Sequence, residues 1–347
     1  MSRAALYRGA EAAALTAASI LAALVTFGAF VALGGLDPLE MYRVLWLGAF
    51  GTRFSLETTL TRAAPLMLTA LCVAIPARAG LLIIGGEGAL VMGGVATVLA
   101  GVALAGAPAS IGTILTISAG ALAGGFWIAA AGALKHMRGV NETISTLLMN
   151  YIAVALMNHL ISGPIRDFSQ TLKAQSWSIP NAFMIGNIRG WSVHWGLVIG
   201  LTFCVLVHLV LRHTTLGFSF DILGGNRRAA HMAGLPIGRL MLLACFLGGA
   251  AAGIAGAIEI VAVHGAASES LVVGLGYTGI LVAFLARQNA LAVLLVALLL
   301  GGISASGGLL QRRFDMPHAV TTVLQGLIFI CVLASNASAG RWRRSSG

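Results

Sequence analysis

Glu87 lies in Ile84-Gly85-Gly86-Glu87-Gly88 at the head of an apolar run, so its carboxylate must work where charge is expensive. At the centre of a membrane-spanning helix such a group costs from ~2.5 kcal/mol upward on insertion scales. Two chemistries would justify it: accepting hydrogen bonds from the backbone amides of the Gly-rich turn, or lining a path for a polar solute. Asn150 and Tyr151 follow the helix start Val140-Asn141-Glu142 by roughly two turns. An amide and a phenol at that depth need partners, which are neighbouring helices or a polar solute. Asn158 and Glu259 are similar cases, in which hydrogen bonding between helices is the first expectation. Tyr277 stands in the Gly-flanked turn Gly276-Tyr277-Thr278-Gly279, where its ring can stack on a flat ligand. Asn141 and Glu142 read first as a helix start, the amide as cap and the carboxylate at the positive end of the dipole.

Other chemistries are missing. The lysines are Lys135 and Lys173 alone, neither after a GxxxxG run, so the chain has no phosphate loop of the Walker type. No HExxH or GxSxG occurs, the eight histidines are scattered, and catalytic and metal-binding residues are therefore expected to be none. Cys72, Cys204, Cys245 and Cys331 stand singly in apolar stretches and read as packing residues. No cofactor is expected.

The elements that hold these residues follow from composition. Of the 347 residues, 58% are hydrophobic and 9% charged, which is too little charge to cover a soluble globule and too much hydrophobicity for disorder. The net charge of +10 is dispersed as single or paired residues, without the aromatic-lined basic face of a nucleic-acid reader. The expected fold class is an all-α polytopic membrane protein, a bundle of eight to ten transmembrane helices with short or re-entrant segments. Runs of about 20 apolar residues fall at 12–33, 58–77, 82–105, 110–133, 143–162, 193–211, 240–262 and 318–335. The first exceeds a signal-peptide core and lacks a clear cleavage site, so it reads as a retained span. The region 273–303, broken at Arg287-Gln288-Asn289, has two arms that are short tilted spans or a re-entrant hairpin. Gly120 with Gly124, and Gly249 with Gly253, mark faces where helix backbones approach closely. Pro65 predicts a kink or local break in the second span.

Under a ten-span reading, thirteen Lys and Arg fall on one side of the membrane and seven on the other. Arg3, Arg8, Arg78, Lys135, Arg212, Arg341 and their companions make the richer side cytoplasmic, with both termini there. The chain is expected to be one transmembrane domain over 1–347. It comprises a spanning bundle at 12–335, an external loop at 163–192 rich in turn residues, and a cytoplasmic loop at 212–239. Within that last loop Asn226 is positioned to cap a short helix, Gly234 to stop it and Pro236 to prevent its continuation, giving about eight residues. A helix that short needs something to pack against. It is an ordinary surface helix or a docking knob for a cytoplasmic partner.

Arg228-Ala229-Ala230-x-x-x-Gly234 resembles the coupling loop of ABC-importer permeases, with Arg228 where that motif carries an acidic residue. The segments around Glu87, from Val140 through Asn150-Tyr151-Ile152-Ala153, and from Gly276 through Ala286-Arg287-Gln288-Asn289, are similar to permeases for nucleosides and simple sugars, a group that includes branched-chain amino-acid and ribose permeases. The resemblance covers the chain from about residue 55 onward. It implies a non-enzymatic subunit in a bacterial inner membrane that moves nucleosides or related solutes by alternating access. It further implies a separate ABC ATPase, a second permease subunit, an extracytoplasmic solute-binding protein, surrounding lipid and no nucleic acid. Asn226, Arg227, Arg228, Ala229, Ala230 and Gly234 would form the ATPase-coupling helix, and Glu87, Asn150, Tyr151, Glu259 and Tyr277 would be substrate-pathway candidates. Carriage of a simple sugar such as ribose, or ion-coupled secondary transport through Glu87 or Glu259, are the alternatives.

Overall fold

The structure is a computed structural model that describes the backbone of residues 3–169, 173–317 and 319–345, with side chains described for 18–169, 173–317 and 319–335. The basic side chains of Arg3, Arg8, Arg341, Arg343 and Arg344, counted above toward the termini, lie outside the described residues. In chain order the helices are α1 (Arg3–Leu33), α2 (Pro38–Trp46), α3 (Arg53–Arg78), α4 (Gly86–Ala103), α5 (Ala109–Arg138), α6 (Glu142–Ser162) and α7 (Gly196–His213). They continue as α8 (Thr215–Gly225), α9 (Arg227–Met232), α10 (Ile237–Ile258), α11 (Leu275–Leu285), α12 (Ala290–Phe314) and α13 (Ala319–Ser345). Among the described residues seven helices are long and apolar enough to cross a membrane, and three shorter apolar helices accompany them. The protein is an all-α, multi-pass membrane protein.

The chain divides into two compact units, one of 1–59 with 299–347 and one of 60–298. In the first, Asp37 accepts a hydrogen bond from the Leu39 amide (2.9 Å) and so caps α2. On α13, Gln325 donates to the Leu300 carbonyl (3.2 Å) and the Ser304 hydroxyl (2.8 Å) of α12.

In the second unit, α4, α5 and α10 pack through glycine. A methyl group added at Gly93 would lie 2.5 Å from the Gly253 Cα, and one at Gly124 would lie 2.5 Å from the Gly249 carbonyl oxygen. The small-residue pairs of the sequence are thus contact points between backbones, which maximise dispersion where lipid supplies no hydrophobic drive. Gly253 touches both α4 and α5, so Gly253→Leu is expected to cost more than ~3 kcal/mol through overpacking and to abolish a monodisperse peak in detergent.

Three expectations need correction. The span at 82–105 begins as helix only at Gly86, because Leu81–Gly85 is non-helical backbone following a left-handed Gly80 (φ 73°). The second arm of 273–303 is not short: α12 continues through Ser304 and Gly308 to Phe314, 25 residues, while α11 has 11. Their break falls at Arg287 and Gln288, both with positive φ (50° and 60°). The helix after Asn226 has six residues rather than eight, and the same connection holds a second helix, α8. Pro65 lies in α3 without interrupting it; the Thr69 hydroxyl donates to its carbonyl (3.1 Å).

Candidate functional site

Residues 81–85 place unpaired backbone groups inside an apolar bundle, which is tolerable only if protein satisfies them. One face of α6 does so. The Thr143 hydroxyl donates to the Leu82 carbonyl (2.9 Å), the Ile84 amide donates to the Thr146 hydroxyl (3.2 Å), and the Asn150 amide donates to the Ile84 carbonyl (3.0 Å). Positions 143, 146 and 150 recur at three and four residues, one stripe of an α-helix. Asn141 caps that helix, accepting from the amides of Thr143 (2.9 Å) and Ile144 (3.3 Å). Glu142 at its first turn is ion-paired with Lys135 and accepts from the Leu82 amide (3.4 Å).

The Asn150 side-chain oxygen also accepts from the Gly88 amide (2.8 Å) in the first turn of α4, so a single buried amide holds both ends of the break. Glu87, one residue earlier and 1% exposed, reaches the other broken helix. Its two oxygens accept from the amides of Gly274 (2.9 Å) and Gly276 (2.6 Å) at the start of α11. Helix N-termini carry amides without partners and partial positive charge, so a carboxylate satisfies both needs. Gly276 must be glycine, since a methyl group there would lie 2.5 Å from the Glu87 Cα.

Glu87, Asn150 and Tyr277 therefore form one cluster, closed by a long contact from the Asn150 amide to the Tyr277 hydroxyl (3.4 Å). Tyr151 is electrostatically coupled to Tyr277, and both rings are open to the outside of the chain, at 65% and 40% exposure. The sequence separated these residues by up to 190 positions; the two broken helices bring them together.

Glu259 belongs elsewhere. It opens a π-helical stretch, Glu259–His264, whose wider turn brings residues five apart to one face and leaves a Glu259 oxygen 3.5 Å from the His264 ring. Arg62 on α3 and His194 lie within electrostatic range of the same carboxylate. Neither Arg62 nor the two histidines stood out in the sequence reading. Arg62 belongs to neither tally of loop charges, and a guanidinium three residues before Pro65 in an apolar run was the available signal.

Between Arg212 and Arg239, the Asn226 side chain caps α9 by accepting from the amides of Arg228 (2.9 Å) and Ala229 (3.1 Å). Gly234 adopts φ 71°, and the Leu235 amide returns to the Ala230 carbonyl (3.1 Å), a closing pattern of a helix C-terminus. Ala230 is buried, while Arg227, Arg228 and Met232 are exposed, Met232 at 83%. Before α9 in the chain, Arg78 at the end of α3 donates from one guanidinium nitrogen to both oxygens of Asp221 on α8 (2.8 and 3.1 Å), and Gly224 and Gly80 meet backbone to backbone.

A multi-pass bundle with broken helices buttressed at depth and a capped knob in its longest basic connection is the architecture of a membrane permease. Residues 55–333 match the family described as branched-chain amino acid transport system permease component, and the chain belongs to that family. It is 31% identical to the guanosine ABC transporter permease protein NupP of Bacillus subtilis over 322 residues, 92% of each chain. It is 30% identical to the glucose ABC transporter permease protein TsgB13 of Haloferax volcanii over 329 residues, 91% of this chain and 86% of the relative. The nucleoside ABC transporter permease protein NupB of Lactococcus lactis is 26% identical over 313 residues, 87% of this chain. The chain is thus a permease subunit of an ABC importer. Membership implies an ATPase and a solute-binding protein as companions.

Proposed function

We propose that this permease carries nucleosides or closely related sugar-containing solutes inward across a bacterial inner membrane. The reading rests on the capped, projecting α9 together with relatives named for guanosine and nucleosides. The residues 1–347 act as one permease domain, with both termini and the 212–239 connection in the cytoplasm and the 163–192 loop outside. ATP binding closes a pair of separate ATPase subunits, α9 follows them, and the bundle alternates between outward and inward openings. Only a difference in affinity between the two states can drive that shift, and the ATPases supply it. A second permease subunit, identical or homologous, completes the pathway.

The pathway candidates divide by their bonding. Glu87 and Asn150 have their hydrogen-bonding capacity taken up by the ends of α4 and α11, and act as braces. Tyr151 and Tyr277 present exposed rings, which suit stacking on a base or sugar. A relative named for glucose favours a second reading, a simple sugar such as ribose as cargo. Uptake in a strain lacking the permease, complemented with this chain and its partner subunits, separates the two. Labelled uridine is expected to accumulate, with competition by other nucleosides and not by ribose; accumulation of ribose alone removes the nucleoside reading.

A further inference from the structure

The two polar clusters of the 60–298 unit differ in one respect. Around Glu87 each polar group has its partners, as buried polar groups must. Around Glu259 they do not. His194 is 3% exposed, yet neither ring nitrogen has a hydrogen-bond partner among the described residues. Arg62 is exposed at the edge of the cluster, shows neither hydrogen bond nor ion pair among the described residues, and faces Glu259 electrostatically. Glu259 lies 3.5 Å from the His264 ring, shows no other hydrogen bond or ion pair among the described residues, and has a side chain 13% exposed. A buried imidazole ordinarily finds a partner. Here His194 and Arg62 lie within electrostatic range of Glu259 but are not bonded to it, and the carboxylate has accepting capacity to spare beyond His264.

The surroundings fix where they sit. Burial pushes the His194 imidazole below its ordinary value against the opposing pull of Glu259, so the ring is neutral and offers one donor and one acceptor. The ring precedes α7 and, with Ile258, the last residue of α10, crowds Gly196: a methyl group there would lie 2.5 Å from the ring and closer still to the Ile258 side chain. The loop after α6 lies along the π-helical stretch and the segment following it. The Ile185 amide donates to the Val261 carbonyl (2.8 Å), Ile179 to Gly265 (2.9 Å) and Ser176 to Ala267 (2.9 Å). The cluster therefore lies at the end of α10 away from α9, beside the loop proposed above to lie outside. The π-turn is an energetically weak form of helix that recurs at functional sites, and here it aims Glu259 and His264 together.

We propose that Arg62, His194 and Glu259 form an outer binding site for the vicinal hydroxyls of the incoming solute. The two Glu259 oxygens accept from adjacent hydroxyls, and Arg62 and His194 donate to the hydroxyl oxygens. A sugar diol matches this set, since it brings donors and acceptors on neighbouring carbons and no charge to balance. The proposal rests on the sugar-containing solute proposed above.

The test is equilibrium binding to the permease–ATPase complex in lipid nanodiscs without the solute-binding protein. Probes are uridine, 2′-deoxyuridine and 3′-deoxyuridine, with ribose and 2-deoxyribose as a second arm. The wild type is expected to bind uridine about tenfold or more tightly than at least one deoxy analogue, the loss expected of a hydrogen bond to a charged group. Glu259→Gln and His194→Gln are expected to weaken uridine about tenfold while shifting that analogue less than threefold. Equal affinity for uridine and both analogues, or an equal shift of every ligand in the variants, overturns the site. If uridine does not bind and ribose does, the nucleoside reading falls. The ribose to 2-deoxyribose ratio then decides the site by the same criterion, and binding of none of the probes overturns both.

Discussion

Glu87→Ala is expected to abolish transport and to lower the stability of the purified protein by roughly 2–6 kcal/mol. Two amides, the part-buried one of Gly274 and the buried one of Gly276, lose their acceptor at once, and each such orphaned group costs about 1–3 kcal/mol. Glu87→Gln keeps one acceptor oxygen and loses the charge at the head of α11, so it is expected to cost about 1–2 kcal/mol and to leave partial activity. Thermal unfolding in detergent, run beside uptake, checks both. A brace predicts that stability and transport fall together in the order wild type, Gln, Ala. If Glu87 instead touches solute, Gln leaves unfolding unchanged and raises only the KM for transport.

The second large effect concerns α9. Met232→Glu is expected to eliminate co-purification of the ATPase while membrane insertion and thermal stability stay at wild-type values, because the side chain is 83% exposed. Placing a carboxylate in a desolvated contact costs several kcal/mol unless it is paired. Unchanged capture of the ATPase by the variant removes α9 as the coupling element. Ala230 is the instructive contrast. It is fully buried, so a bulky charge there disrupts the seat of α9 and lowers stability as well as capture. Comparing the two positions separates loss of contact from loss of the helix itself.

The fold class was legible because hydropathy is a summed property: long apolar runs survive any local error about ends. The caps were legible too. Asn141, Asn226 and Gly234 act as their types predict, since capping is decided within four residues of chain. What could not be read was depth. The run from Leu82 onward is apolar whether helical or extended, and only the side chains of Thr143, Thr146 and Asn150, some 60 positions on, make the extended form affordable. The short α11 depends likewise on a carboxylate 187 residues before it. Glu87 was visible as an anomaly, yet its two readings, brace and pathway, divide on bond partners that no local pattern encodes. Arg62 and His194 escaped because each is unremarkable alone; their meaning lies in a shared neighbour, Glu259.

The meeting of Gly80 with Gly224 bears on how a push on α9 travels. Added methyl groups would strike backbone on either side, so main chain presses on main chain with no rotatable side chain between to absorb displacement. Asn226, the cap of α9, is two residues from one side of that contact, and the 81–85 segment pinned to α6 begins on the other. A stiff main-chain contact of this kind gives a displacement of α9 a short route toward the two helix heads that Glu87 ties together, and so bears on the coupling role proposed for α9.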